Sequence, residues 1–164
     1  MKSNGARDGA KPDCAGRRFA IVAARFHAGI ADRLVDGARR ALRDCRVDDE
    51  HVRLFEVPGC FELPLACRNL IDSDSFDALV ALGAVIRGET PHFDFVAGEC
   101  ARGIMDVQLV TGVSIGFGVL TTDTLLQAEE RADPNGGDKG YAAGLAAASL
   151  LTLTVGTPRA GFRS

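Results

Sequence analysis

Between Ala78 and Ile86 the chain runs nearly without interruption in apolar residues, ALVALGAVI. A strand with one wet face alternates apolar and polar side chains. A short run that does not alternate has to be covered on both faces, which is the position of a central strand in a parallel sheet. Parallel neighbours cannot be joined by hairpins. The connections must cross over, usually as helices.

The rest of the chain supplies those parts. Phe19 to Ala24 reads as a second buried strand, followed by Ile30, Leu34, Ala38, Ala41 and Leu42 on one helical face. Val52 to Val57 reads as a strand closed by Pro58-Gly59. The helix after it tolerates Pro64 near its first turn and turns Leu63, Ala66, Cys67 and Leu70 inward. After Ile86, Gly88 opens a loop. Thr90 is a good N-cap and Pro91 suits the first helical position, with Phe93, Val96, Ala97, Cys100 and Ile104 as the buried stripe. Ser114 to Leu120 is the last strand and Thr124 to Ala132 a helix, with caps available in Thr121 to Thr124. Asp133-Pro134-Asn135-Gly136-Gly137 breaks that helix, and Lys139 to Leu153 is an alanine-rich final one. Four strands joined by helical crossovers predict an α/β fold, a three-layer α/β/α sandwich around a four-stranded parallel sheet. Residues 1 to 17 are polar and basic and are expected to be a flexible segment, residues 18 to 154 a single domain, and 155 to 164 a flexible tail.

Composition narrows the function. A formal net charge of −3 gives no general attraction for nucleic acid or an anionic membrane. No tryptophan and one tyrosine make a base-stacking platform improbable. No apolar run reaches the ~18 residues of a membrane span, and the first 18 residues lack a secretory h-region. The five cysteines are odd in number and none stand as C-x-x-C, so free thiols in a reducing cytoplasm are expected. His27, His51 and His92 share no metal-ligand spacing, and no phosphate-binding glycine motif is present.

In open parallel sheets ligands bind beyond the carboxyl ends of the strands, and four such places carry informative residues. Phe26 follows the first strand, Cys60-Phe61-Glu62 the second, and Arg87 to His92 the third, while Phe117 and the Leu120 to Thr124 turn belong to the fourth. Glu62 is either a first-turn acid favouring the helix dipole or an acceptor for sugar-like hydroxyls. Phe26 and Phe117 are either core residues or stacking faces for a flat heteroaromatic ligand. Gly88, Glu89, Thr90 and a helix start offer free backbone N–H groups to a phosphate. His92 beside them is either a capping residue or a proton shuttle. Arg131 and Lys139, around the Pro-Gly break, are either solvated charges or, for Arg131, a bidentate phosphate ligand.

Five separated stretches, in order, resemble lumazine synthases: ARFHAGI (Ala24 to Ile30), VPGCFELP (Val57 to Pro64), GAVIRGETPHFDF (Gly83 to Phe95), FGVLTTDT (Phe117 to Thr124) and ERADPNGGDKG (Glu130 to Gly140). The resemblance runs from about Phe19 to about Leu151. It implies a flavodoxin-like sheet and an enzyme of riboflavin biosynthesis in the cytoplasm. That enzyme condenses 5-amino-6-(D-ribitylamino)uracil with 3,4-dihydroxy-2-butanone 4-phosphate, giving 6,7-dimethyl-8-ribityllumazine, phosphate and water, with no metal or organic cofactor. By the same resemblance Phe26 stacks on the pyrimidine, Cys60, Phe61 and Glu62 line the ribityl and pyrimidine site, and Ala84, Val85 and Ile86 present backbone to it. Glu89 and Thr90 hold the butanone phosphate, Arg131 grips its phosphate and His92 transfers protons. Phe117 comes from a neighbouring subunit, and Lys139 lies near the shared pocket. The sequence departs from the family at His27, where many members have asparagine, at Cys60 in place of a small alanine, and in the loop 133–138.

Three rivals stand beside this reading. The archaeal type of riboflavin synthase shares the fold, but the Arg131-to-Lys139 motif and the setting of His92 argue against it. A non-catalytic flavin-binding or shell-forming relative has no need of His92 and Arg131. A flavodoxin-like electron carrier needs a phosphate loop after the first strand, and Arg25-Phe26-His27-Ala28 is not one. For assembly, the resemblance implies a homo-oligomer with two small-molecule substrates bound between subunits, a cyclic pentamer. The short spacing from Arg131 to Lys139 goes with a shell of twelve pentamers. The alanine and glycine positions on the helices are read here as exposed contact surface.

Overall fold

The computed structural model describes residues 10–153. A four-stranded sheet is formed by β1 (Phe19–Ala24), β2 (Val52–Val57), β3 (Ala78–Ile86) and β4 (Ser114–Thr122) in the order β2-β1-β3-β4, and every pairing is parallel. The fold is therefore the α/β sandwich that the apolar runs require, with the fully apolar β1 and β3 in the two central places. Every side chain of β1 is buried, as is every one of β3 except Ile86.

Three helices connect the strands, α1 (Ala28–Asp44), α2 (Leu63–Asp72) and α3 (His92–Thr111), and two follow the last strand, α4 (Leu125–Ala132) and α5 (Lys139–Leu151). Strand side chains alternate between faces, so each central strand feeds two cores. Phe19, Ile21, Val80 and Leu82 meet α1, α4 and α5 through Leu34, Ala38, Ala128, Ala143 and Ala147. Ala20, Val22, Leu79 and Ala81 meet α2 and α3 through Leu63, Cys67, Cys100 and Ile104. Burying a Leu or Ile side chain stabilises a fold by about 1.5–3 kcal/mol, so both layers are held chiefly by apolar burial. Among the described residues no helix is long and apolar enough to cross a membrane.

The helix signals are largely realised. Pro64 stands in the first turn of α2. Thr124 caps α4 as a full capping box, its hydroxyl accepting from the Gln127 N–H while the Gln127 side chain accepts from the Thr124 N–H. α3 starts one residue later than expected. Pro91 has the right φ for a helix but ψ of 4°, so it takes the cap position and His92 is the first helical residue. Thr90 still serves that end, its hydroxyl accepting from the His92 N–H at 3.4 Å. β4 runs two residues past Leu120, because Val85 and Ile86 pair with Thr121 and Thr122.

The reading of the alanine and glycine positions as exposed is corrected for α5. Gly140, Ala143, Gly144, Ala147 and Ala148 are buried within the chain. A Cβ on Gly140 would strike the Leu34 carbonyl of α1, and one on Gly116 would strike the Ala143 carbonyl. Small residues let α5 lie almost backbone to backbone against α1 and β4. On α3, by contrast, Phe95, Met105, Leu109 and Val110 are large apolar side chains left exposed.

Part of the amino-terminal stretch expected to be flexible lies outside the described residues, as does the tail. Within the described portion, Cys14 is fully buried. Its N–H donates to the Cys45 carbonyl at 2.8 Å, and Asp13 pairs with Arg46. A lone apolar residue in a polar stretch leaves no periodicity to read.

Candidate active site

The turns after β1 and β2 and the loop after β3 surround a cleft of about 630 Å³. It holds Phe26, Cys60, Phe61, Glu62, Ala84, Val85, Ile86, Thr90 and His92, all of them picked out from sequence. The volume lies in the ordinary range for small-molecule sites, and the walls are mainly apolar with a few convergent polar groups. Glu89 sits on the same loop, exposed, and lines neither this cleft nor the second one described below.

Each wall has a local cause. The turn after β1 is pinned by Arg25, whose N–H donates to the Val57 carbonyl at 2.9 Å and whose guanidinium pairs with Asp32 at 2.6 Å. Phe26 then projects, 81% exposed, with its ring 4.9 Å from that of His27 in an edge arrangement. An aromatic face left this bare is costly in water and suited to a flat partner. After β2, Gly59 leads into a 3-10 turn, Cys60–Glu62. A Cβ at Gly59 would stand 3.3 Å from Glu62 Oε2, so the carboxylate folds back over the glycine.

Cys60 is buried in the cleft floor and unsuited to nucleophilic chemistry. A hydrogen bond with Cys100, and then burial, push its thiol well above the usual range. All five cysteines are free, as expected from their number and spacing, and all five are buried. Burial likewise lowers the pKa of the His27 imidazole, favouring its neutral form.

Phe117, Arg131 and Lys139 are not in this cleft. They line a second one of about 370 Å³ between β4 and α5, which shares no lining residue with the first. Phe117 is also not at a strand end. It lies within the edge strand β4, opposite Ala81, and it and Thr121 are the exposed positions of that strand. Arg131 Nη1 donates to the Gln127 carbonyl at 3.0 Å, a bond within its own helix that leaves the rest of the guanidinium available. One chain thus carries two separate clefts. One has an aromatic face, a histidine and a helix start, while the other has an aromatic ring and two cations.

Gly59 and Gly88, marked from sequence at the ends of β2 and β3, also line the first cleft, and so do Phe93, Phe95 and Val96, to which the sequence gives no site role. Phe93 and Val96 had been placed on the buried stripe of α3. They do pack on the core, but the stripe runs out into the cleft at the amino end of the helix.

The sequence was compared with known proteins. The profile of the family described as 6,7-dimethyl-8-ribityllumazine synthase matches residues 16–154. A protein of Halorhodospira halophila, named 6,7-dimethyl-8-ribityllumazine synthase, is 49% identical over 136 residues, covering 83% of this chain and 87% of that protein. One of Desulfatibacillum aliphaticivorans with the same name is 46% identical over 138 residues, covering 84% and 89%. With the strand ends, the clefts and these relatives in agreement, the chain belongs to the 6,7-dimethyl-8-ribityllumazine synthase family.

Proposed function

We propose that this chain condenses 5-amino-6-(D-ribitylamino)uracil with 3,4-dihydroxy-2-butanone 4-phosphate to 6,7-dimethyl-8-ribityllumazine, releasing phosphate and water, in the penultimate step of riboflavin biosynthesis in the cytoplasm. The observation that carries this reading is the first cleft, where a bare aromatic face, an acidic turn, exposed strand-end backbone and a histidine at a helix start converge.

In this reading Phe26 stacks on the pyrimidine and Glu62 accepts from ribityl hydroxyls. Cys60, Phe61 and the backbone of Ala84, Val85 and Ile86 complete that subsite. The loop of Glu89 and Thr90, at the amino end of α3, receives the butanone phosphate. The substrate amine attacks the ketone and water leaves to give an imine. Phosphate is then eliminated to give an enol that tautomerises to a ketone, and the second amine adds to that carbonyl and loses a second water to close the ring. These steps need orientation and proton movement more than a nucleophile, and His92 moves the protons. No residue of the chain has to form a covalent bond, which fits the protonated, buried Cys60.

Arg131, Phe117 and Lys139 belong to the same site by way of a neighbour, the second cleft of one subunit facing the first cleft of the next. The exposed Phe95, Met105, Leu109 and Val110 on α3 support such an assembly, since an apolar strip of that kind is normally covered. The ring is a homopentamer and twelve rings close into a shell. A purified sample given both substrates should form lumazine, read by its absorbance and fluorescence. Absence of product would remove the reading, and riboflavin made from lumazine alone would favour the dismutating rival.

A further inference from the structure

Arg87, the first residue after β3, touches three elements at once. Its N–H donates to the Thr122 carbonyl at the end of β4, at 2.8 Å. Its Nε donates to Asp123 Oδ1 at 2.9 Å and its Nη1 approaches Asp94 Oδ1 of α3 at 3.5 Å. Its guanidinium lies 4.4 Å from the centre of the Phe93 ring. The loop it precedes is otherwise poorly held. A Cβ at Gly88 would meet nothing within 4 Å. Among the described residues, the remaining hydrogen bonds of residues 88–91 are local: the His92 N–H donates to the Thr90 hydroxyl and the Asp94 N–H to the Pro91 carbonyl.

We propose that Arg87 is a positioning residue for the reaction: it clamps the first turn of α3 to the end of β4, and thereby sets where His92 and the phosphate-receiving loop stand over the cleft. The assignment rests on the functional reading above. Stability is not the point, because exposed ion pairs contribute little to it. Position is, because misplacing reacting groups by 1 Å can cost about 10²-fold in rate. The clamp also needs the guanidinium in particular. Its planar fork reaches two carboxylates while its face covers the Phe93 ring, and an ammonium cannot do all three.

The test uses the full chain as Arg87→Met, which keeps the aliphatic stem, beside Arg87→Lys and Asp123→Asn. For Arg87→Met the Michaelis constant for the butanone phosphate should rise about tenfold, within the ~10²-fold ceiling for misplacement. That for the ribitylaminouracil should stay within about twofold, because its subsite is held by the turns after β1 and β2 and by the paired backbone of β3, not by the loop and helix start that the Arg87 side chain clamps. Arg87→Lys should recover only part, and Asp123→Asn should shift the same constant in the same direction. Thermal midpoints should stay near that of the parent. Unchanged kinetics, equal rises for both substrates, full rescue by lysine, or losses that track the midpoint would each overturn the assignment. Binding of inorganic phosphate by calorimetry needs no turnover and should also weaken about tenfold in Arg87→Met. If that holds while the parent makes no lumazine, Arg87 keeps its role and the reaction assignment falls. If phosphate binds the variant as well as the parent, the clamp is wrong.

Discussion

Arg40 on α1 grips Asp138 with two guanidinium nitrogens, at 3.1 and 2.8 Å, across 98 residues of chain. Asp138 stands in the left-handed region, with φ of 45°, just before Lys139 opens α5. The pair is only partly exposed, 33% and 23% by side chain, and the guanidinium also lies 5.7 Å from the centre of the Tyr141 ring. It ties the turn that separates Arg131 from Lys139 to the body of the domain. Arg40→Met should lower stability by about 1–2 kcal/mol, discounted for exposure. That corresponds to a thermal midpoint lower by roughly 2–8 °C at fixed protein concentration. Asp138→Asn should cost less, because asparagine tolerates the left-handed region and keeps an acceptor. Asp138→Ala should cost more. A midpoint for Arg40→Met equal to the parent's would show that the contact is incidental.

Gly83 and Cys60 are coupled by space. A Cβ added to Gly83 would lie 2.7 Å from Cys60 Sγ and 2.9 Å from Ala24 Cβ. Gly83→Ala alone should destabilise by ~1–3 kcal/mol through overpacking. Adding Cys60→Ala should return part of that loss, since the sulfur is one of the two obstacles. Denaturation of the two single variants and the double variant measures the coupling. Strict additivity would mean that the glycine answers to Ala24 alone.

Buried acids make the fold sensitive to alkali. Burial pushes the Cys45 thiol up to about 11 and the Cys67 thiol to about 12. Burial and a 2.6 Å hydrogen bond to Asp44 push the Tyr141 phenol up to about 12. In the unfolded chain these groups lose their protons at lower pH, near 9 for the thiols and 10 for the phenol. Folded pKa values above the unfolded ones give stability that is fully present below about pH 9 and is lost as pH rises toward 12. Thermal midpoints should therefore fall progressively from pH 9 upward, and Cys67→Ala should flatten part of the slope. A curve level through pH 11 would contradict the assignment.

Much of the site was legible because the sheet is parallel and its central strands are apolar throughout. Once Ala78 to Ile86 is placed at the centre, the residues after each strand fall at one end of the sheet, and Phe26, Glu62 and His92 arrive together. The resemblance, not the pattern, gives Phe117 to a neighbouring subunit and puts Lys139 near a shared pocket, whereas Arg131, expected beside Glu89 and Thr90, lines the second cleft with them. What the sequence hid depends on distant contacts. Arg40 with Asp138, Arg87 with Asp123, and Cys14 beneath α5 join positions that no local period links. The alanines and glycines of α5 misled for a related reason: small residues read alike on an exposed face and in a close-packed seam, and only the backbone of Leu34 lying against Gly140 separates the two.

The two clefts share no residue, and in the proposed assembly a working site takes one cleft from each of two neighbours. His92→Ala should lower turnover by ~10²-fold or less, because water replaces part of the proton transfer. Arg131→Ala should act mainly on the Michaelis constant for the butanone phosphate, losing a charge-assisted contact of ~1.5–3 kcal/mol. Equal effects of Arg131→Ala on both substrates would make it structural. The decisive measurement combines the two. Equal amounts of the variants are unfolded, mixed and reassembled, and turnover is read at low butanone phosphate. Random assembly puts an intact first cleft against an intact second cleft in about a quarter of the sites, so the mixture should regain about a quarter of parental activity. Activity no higher than the average of the two separate variants, in an assembly shown by native mass to contain both, would contradict a site shared between subunits.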